Sequence, residues 1–252
     1  MESKKRFDLS GRVAVITGGR RIGASVAVEL ARRGAHVSLS YRTSSDAAAA
    51  AAKEVERCGR SALITQTDLS DPAACEGLIE STVKRLGGLQ VVINMASTYM
   101  STAFDELTGS HLTEALQVDL NGTYVCSLAA VPHMRRAGGG HIVNFSDWTA
   151  ASGRPRYEGF LPYYVAKTAV IGLTEAMALE LASDSILVNA IAPGPIRPPT
   201  SMDSDEVAAV SQATPLGKWG GDEEIVKAVI SLLESDFVTG QTIRVDGGRH
   251  LK

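Results

Sequence analysis

The stretch VAVITGGRRIGASVAVELARRG (13–34) decides the fold. Its first five residues read as a buried strand, TGGRRIG (17–23) as a turn, and SVAVELARRG as a helix stopped at Gly34. A helix that starts straight after a glycine-rich turn points free N–H groups and the positive end of its dipole at whatever sits there, which suits a phosphate. Gly18 and Gly23 stand as the outer glycines of G-x-G-x-x-G do, with Arg20 at the middle position and Ile22 before the last glycine. Read as a Walker loop, the stretch continues into Ala24-Ser25 and lacks the phosphate-binding lysine, so a nucleoside triphosphatase is not expected.

Strand-length apolar runs repeat down the chain: HVSLSY (36–41), SALITQT (61–67), LQVVINM (89–95), GHIVNFS (140–146), ILVNAIA (186–192) and QTIRV (241–245). Helix-length segments separate them. SSDAAAAAAKEVERCG (44–59) is one, its alanine run capped by Ser45 or Asp46 and stopped by Gly59. Strands alternating with helices, the strands nearly continuous in apolar residues, predict a doubly wound Rossmann-type parallel sheet with helices on both faces. No repeat or linker divides the 252 residues, so a single α/β domain is expected. PGPIRPPTSMDSDEVAAVSQATPLGKWG (193–220) reads as a long irregular substrate loop over the carboxyl edge of the sheet.

Bulk properties narrow the partners. A net charge of −3 and a pI near 6.0 give no basic field for nucleic acid or an anionic membrane. Cys58, Cys75 and Cys126 form neither a disulfide framework nor a C-x-x-C metal or redox motif. No apolar h-region follows the charged start MESKKRFDLSG, and no run approaches a membrane span, so a cytoplasmic protein with a small-molecule substrate and no metal is expected.

In an open parallel sheet, ligands gather beyond the carboxyl ends of the strands. The second strand ends in Arg42-Thr43, where an NAD site would carry an acid for the ribose hydroxyl. An arginine pairs instead with phosphate, and Arg20 or Arg21 can approach from the first loop, with Arg21 the narrow choice. The expected cofactor is therefore NADP(H). Asp68-Leu69 after the third strand fits the adenine edge, or Asp68 caps the next helix. Tyr163 and Lys167 lie four apart in PYYVAKTAVIGLTEAMALELA, on one helical face. An ammonium near a phenol is expected to lower the phenol pKa and make it a proton donor near neutral pH.

TGGRRIG, DLS (68–70), NMAS (94–97), IVNFSD (142–147), YVAK (164–167), NAIAPGPI (189–196) and VDGG (245–248) together resemble the short-chain dehydrogenase/reductase family over essentially the whole chain. That resemblance implies Tyr163 as general acid, Lys167 on the nicotinamide ribose, and Pro193, Gly194 and Ile196 on the carboxamide. It also implies cofactor contacts from Gly18, Ile22, Asn94, Ala96 and Ser97, and a homotetramer built on the helices around 115–135 and 164–182. Three departures stand out. The first loop is one residue short; Asp147 stands at the family's catalytic serine; Asp119 in LQVDLNGTY (116–124) stands at its asparagine, with Asn121 nearby.

An ionised carboxylate cannot donate a hydrogen bond to a ketone, but it accepts from ring N–H groups. With Ser97 and an aromatic at Tyr99, Asp147 makes the chain most similar to the pteridine reductase and dihydromonapterin reductase branch. Tyr99 then stacks on a flat substrate, or packs on the substrate loop. The alternative for Asp147 is a helix-capping acid, with Ser146 or Ser152 supplying the hydrogen bond. Three functions follow: reduction of a pterin or similar C=N substrate, reduction of a ketone such as a 3-oxoacyl thioester, and non-catalytic NADP(H) sensing. The complete Tyr–Lys pair speaks against the last.

Overall fold

The computed structural model describes residues 7–18 and 20–252; the charged residues 1–6 and Gly19 lie outside them. The chain runs β1 (Val13–Thr17), α1 (Ile22–Arg32), β2 (His36–Tyr41), α2 (Ser45–Arg57), β3 (Ala62–Gln66), α3 (Pro72–Leu86) and β4 (Val91–Asn94). It continues through α4 (Gly109–Ala115), a π-helical turn (Leu116–Asn121), α5 (Gly122–Arg136), β5 (Gly140–Phe145), α6 (Trp148–Ala151), α7 (Leu161–Leu181) and β6 (Ile186–Pro193). The last elements are α8 (Ser204–Ala213), α9 (Asp222–Leu233) and β7 (Thr242–Val245). All seven strands pair in parallel, in the order β3-β2-β1-β4-β5-β6-β7. The chain reverses direction across the sheet between β1 and β4, which opens a crevice at their carboxyl ends.

Strand alternation builds the core on both faces. Ala14 and Ile16 of β1 pack with Leu30 of α1, Val55 of α2 and Val229 of α9. Val13 and Val15, on the opposite face, join Leu78 of α3, Met134 of α5 and Met177 of α7. Two expectations need correcting. The residue preceding the alanine helix is Ser44, not Ser45 or Asp46, and no side chain caps it. Asp46 sits in the first turn, where it still complements the dipole. The 193–220 segment contains α8, opened by a reciprocal capping box in which Asp203 accepts from the Asp205 and Glu206 amides and Glu206 accepts from that of Asp203. Asp68 does not cap α3 either: Asp71 does, accepting from Ala73 N at 2.9 Å.

His141 of β5 is 2% exposed, its ring edge-on to Phe7 at 4.3 Å. Burial pushes its imidazole down to about 4, with Asp236 opposing and Arg12 assisting. Below pH 6.5 the unfolded chain takes up a proton that the folded chain refuses, so stability falls as the pH drops towards 4. The loss from this group amounts to about 3 kcal/mol. Urea unfolding of His141→Asn should show a flatter pH dependence over that window; a slope equal to the wild type's would contradict the assignment.

Candidate active site

A cleft of about 960 Å³ opens at the carboxyl ends of the strands. That is large enough for a dinucleotide fragment with a substrate beside it. Gly18, Arg20, Arg21 and Ile22 form its first wall, where the amino end of α1 points inward. Two of the loop's glycines are required by contact. A Cβ on Gly18 (φ +82°) would lie 3.3 Å from the Ala96 backbone, and one on Gly23 would strike the Gly18 carbonyl at 2.3 Å. Arg21 itself holds φ 58°, ψ −115°, a conformation that favours glycine. The shortened loop has put an arginine where the chain needs that turn, at a cost of about 1–3 kcal/mol. Its guanidinium donates to the Pro198 carbonyl at 3.3 Å, tying the first loop to the 193–220 segment.

The sequence-predicted residues divide by position. Ser97, Tyr99, Asp147, Tyr163, Lys167, Pro193, Gly194 and Ile196 line the same cleft as the first loop. Gly194 is pinned by close approach, since a Cβ there would meet Asp246 Cβ at 2.5 Å. Arg42, Thr43, Asp68 and Leu69 are not in its wall. The Asp68 carboxyl is held below its ordinary range by hydrogen bonds from Ser70 and further by the charge of Arg42. Leu69 is buried, and Ala96 backs Gly18. The Asn94 amide belongs to a buried network, donating to Asn144 Oδ1 and Ser127 Oγ, while Asn144 donates to Thr174.

At the centre, the Tyr163 hydroxyl donates to Asp147 Oδ2 at 3.1 Å. Asp147 Oδ1 accepts from the Thr149 amide at 2.8 Å and from its hydroxyl at 2.6 Å, so Asp147 also caps α6. The two readings of Asp147 thus coexist: one oxygen caps, the other faces the tyrosine. Ser146 and Ser152 do not take its place. Their hydroxyls donate to the carbonyls of Lys167 and Trp148, at 2.8 and 2.5 Å.

Lys167, 3% exposed, donates to the Phe145 carbonyl at 2.8 Å. Its ammonium lies 2.9 Å from Asp119 Oδ1, on a carboxylate with no exposed surface. The π turn brings Asp119 into this position; such an inserted residue re-aims a side chain and is frequent at functional sites. Thr98 fixes the other oxygen, donating from its amide at 3.0 Å and its hydroxyl at 2.7 Å. Burial alone would raise the Asp119 pKa, but Lys167 and the bonds from Ser97 and Thr98 bring it below its ordinary value. It is an ionised partner of Lys167.

That pair corrects the expected tuning of the phenol. Tyr163 titrates well above its ordinary range, pushed up first by burial, then by the charges of Asp147 and Asp119 and the bond to Asp147. The ammonium of Lys167 lies 5.8 Å from the Tyr163 ring centroid and is paired with Asp119. Tyr163 is therefore a fully protonated donor at neutral pH. Tyr99, 58% exposed, stacks on Phe160 at 4.7 Å and meets Tyr163 edge-on at 5.0 Å. Its ring contacts are thus with the residue before α7 and with the first turn of that helix.

Sequence spacing did not join Asp119 to Lys167, and it passed over Trp148 and Arg156, which line the cleft with Arg249. These contacts run between distant elements and leave no local signature.

A doubly wound sheet carrying a tyrosine and a lysine one helical turn apart at its carboxyl edge defines an oxidoreductase of the dinucleotide-binding class. The chain belongs to the short-chain dehydrogenase/reductase family. A family profile described as enoyl-(acyl carrier protein) reductase matches residues 17–250. The chain is 34% identical over 244 residues to a 3-oxoacyl-(acyl-carrier-protein) reductase from Staphylococcus aureus, covering 94% of this chain and 98% of that one. In structure it is similar to a short-chain dehydrogenase/reductase from Serratia marcescens, with 32% identity, a TM-score of 0.90, and 96% and 99% of the two chains covered. A short-chain dehydrogenase from Burkholderia cenocepacia, solved in complex with NADP, matches at 29% identity and a TM-score of 0.89, over 96% and 99% of the chains. Among the described residues, no helix is long and apolar enough to cross a membrane.

Proposed function

We propose that the chain is an NADPH-dependent reductase of a flat, N–H-bearing C=N substrate such as a pterin, with Tyr163 as general acid. One observation carries the reading. A ketone reductase presents a second hydroxyl to the carbonyl oxygen; here that place holds the Asp147 carboxylate, and the nearby serines are committed elsewhere.

The cleft suits the cofactor. The Gly18 N–H donates to Ser40 Oγ at 3.4 Å, so the first turn of α1, at Ile22, is what offers backbone N–H to a pyrophosphate, and Gly18 leaves room for it by its close approach to Ala96. Arg20, Arg21, Arg42 and Thr43 would hold the ribose phosphate, with Arg42 exchanging Asp68 for it. Asp68 and Leu69 would face the adenine, Asn94, Ala96 and Ser97 the ribose side, and Pro193, Gly194 and Ile196 the carboxamide. NADPH, when bound, supplies the hydride. Lys167 orients the adjoining ribose, Asp147 accepts from substrate N–H groups, Ser97 and Tyr99 flank the ring, and Tyr163 delivers the proton. As in its family, the chain is read as a homotetramer, with the exposed Leu128 of α5 and Leu179 of α7 on the associating faces.

A second reading is reduction of a 3-oxoacyl thioester, favoured by what the Staphylococcus aureus relative is named for. NADPH consumption with dihydrobiopterin, dihydrofolate and an acetoacetyl thioester, run side by side, separates the two. Turnover with the thioester alone would reject the C=N reading. Arg42→Ala should weaken NADPH binding about tenfold or more and leave NADH nearly unchanged. An equal loss for both would reject the phosphate assignment.

A further inference from the structure

Charges in the cleft wall are unevenly answered. Lys167 is paired with Asp119, and Arg197 with Asp222 at 2.5 Å. The wall's own acids are engaged as well, Asp147 by Tyr163 and Thr149, and Glu206 by the Asp203 amide. Of the wall arginines without an ion pair among the described residues, Arg20 and Arg21 lie in the first loop and Arg156 is spent on main-chain oxygens, which leaves Arg249. Its guanidinium lies 5.9 Å from the Trp148 ring centroid and holds no ion pair among the described residues. Trp148 follows Asp147 directly and is buried, so this cation stands beside the reacting end of the cleft.

The position of Arg249 is built. Arg156, whose guanidinium lies 5.6 Å from the same ring, donates to the main-chain oxygens of His250 (at 2.8 Å) and Lys252. Asp246 accepts from the His250 amide and ring, at 3.0 and 2.7 Å. Gly247 (φ +61°) packs so tightly that a Cβ there would meet Thr214 at 2.7 Å. A turn secured at both ends thus presents an unpaired guanidinium to the substrate side of a protein that is net negative.

We infer that Arg249 is a specificity residue for an anionic substituent: the substrate is a small molecule carrying a carboxylate or phosphate arm, received by Arg249 against Trp148. Arg156 positions the segment that carries it. The inference deepens the proposed function and rests on its placement of the substrate beside Asp147. A guanidinium recognises carboxylate or phosphate oxygens through its fork of N–H donors, and the Trp148 face 5.9 Å away adds a cation–π attraction that favours this placement. The arm is a different part of the molecule from the ring that meets Asp147, so charge selectivity and ring chemistry are separable.

The test measures calorimetric affinities of the NADP+-loaded enzyme for two matched pairs. One is dihydrofolate against dihydrobiopterin, which lacks the glutamate arm. The other is an acetoacetyl-coenzyme A thioester against the uncharged acetoacetyl N-acetylcysteamine thioester. Wild type should prefer the charged member of at least one pair tenfold or more. Arg249→Gln should erase that preference, Arg249→Lys should restore part of it, and neither should change the affinity for NADP+ or the uncharged member. Equal affinities within both pairs, a preference that survives Arg249→Gln, or failure of wild type to bind either charged member would overturn the inference. Preference within the thioester pair alone would reject the C=N reading and leave the role of Arg249 standing.

Discussion

Tyr163→Phe is expected to lower kcat about 10²–10⁴-fold while leaving NADPH affinity within about twofold. Only the hydroxyl is lost. The ring keeps its packing against Tyr99, and Lys167 keeps its bonds to Asp119 and the Phe145 carbonyl. The proton that Tyr163 directs at Asp147 is the one a reduced ring nitrogen or alkoxide would take, and among the described residues no other hydroxyl donates to that carboxylate except Thr149, which serves the cap. Stopped-flow oxidation of NADPH, with cofactor binding measured separately, reads both quantities. Activity surviving within tenfold of wild type would mean that the acid lies elsewhere.

Asp119 carries the second large effect. Asp119→Ala leaves the Lys167 ammonium buried without its partner, which should cost about 3–5 kcal/mol of stability. Asp119→Asn is gentler, since its amide oxygen still accepts from Thr98, and it separates charge from shape. In that variant one of the charges raising the Tyr163 pKa is gone and the Lys167 cation is no longer balanced. The phenol should ionise at lower pH. Reduction needs the protonated phenol, so kcat/KM should begin its alkaline decline at lower pH than in the wild type, whose phenol is held above the ordinary range by burial, Asp147 and Asp119. Superimposable pH profiles would remove Asp119 from the control of Tyr163.

The glycine loop, the strand runs and the Tyr163–Lys167 register were legible because each is a local pattern, set by backbone conformation or by one helical turn. Asp147 was legible as an acid at the end of a strand. That its two oxygens divide between α6 and Tyr163 was not, because both readings are compatible with one residue type. The ion pair between Asp119 and Lys167 escaped because it joins two elements far apart in sequence, and a π turn sets where Asp119 points. Helix α8 escaped for a different reason. The Pro- and Ser-rich flanks masked a D-x-x-E capping box that was present in the sequence at Asp203 and Glu206. Arg21 shows the limit from the other side: only the fold reveals that its backbone takes the turn of a glycine while its side chain reaches Pro198.

The choice of substrate turns on Asp147, and serine is a mild probe of it because serine also caps helices. The most direct measurement is NADPH oxidation by wild type and Asp147→Ser, each with dihydrobiopterin and with an acetoacetyl thioester. The predicted result is pterin turnover by wild type, a loss of about 10²-fold in the variant, and a gain in its thioester activity. Thioester turnover by wild type without pterin turnover, or a ratio of the two activities unchanged by Asp147→Ser, would contradict it.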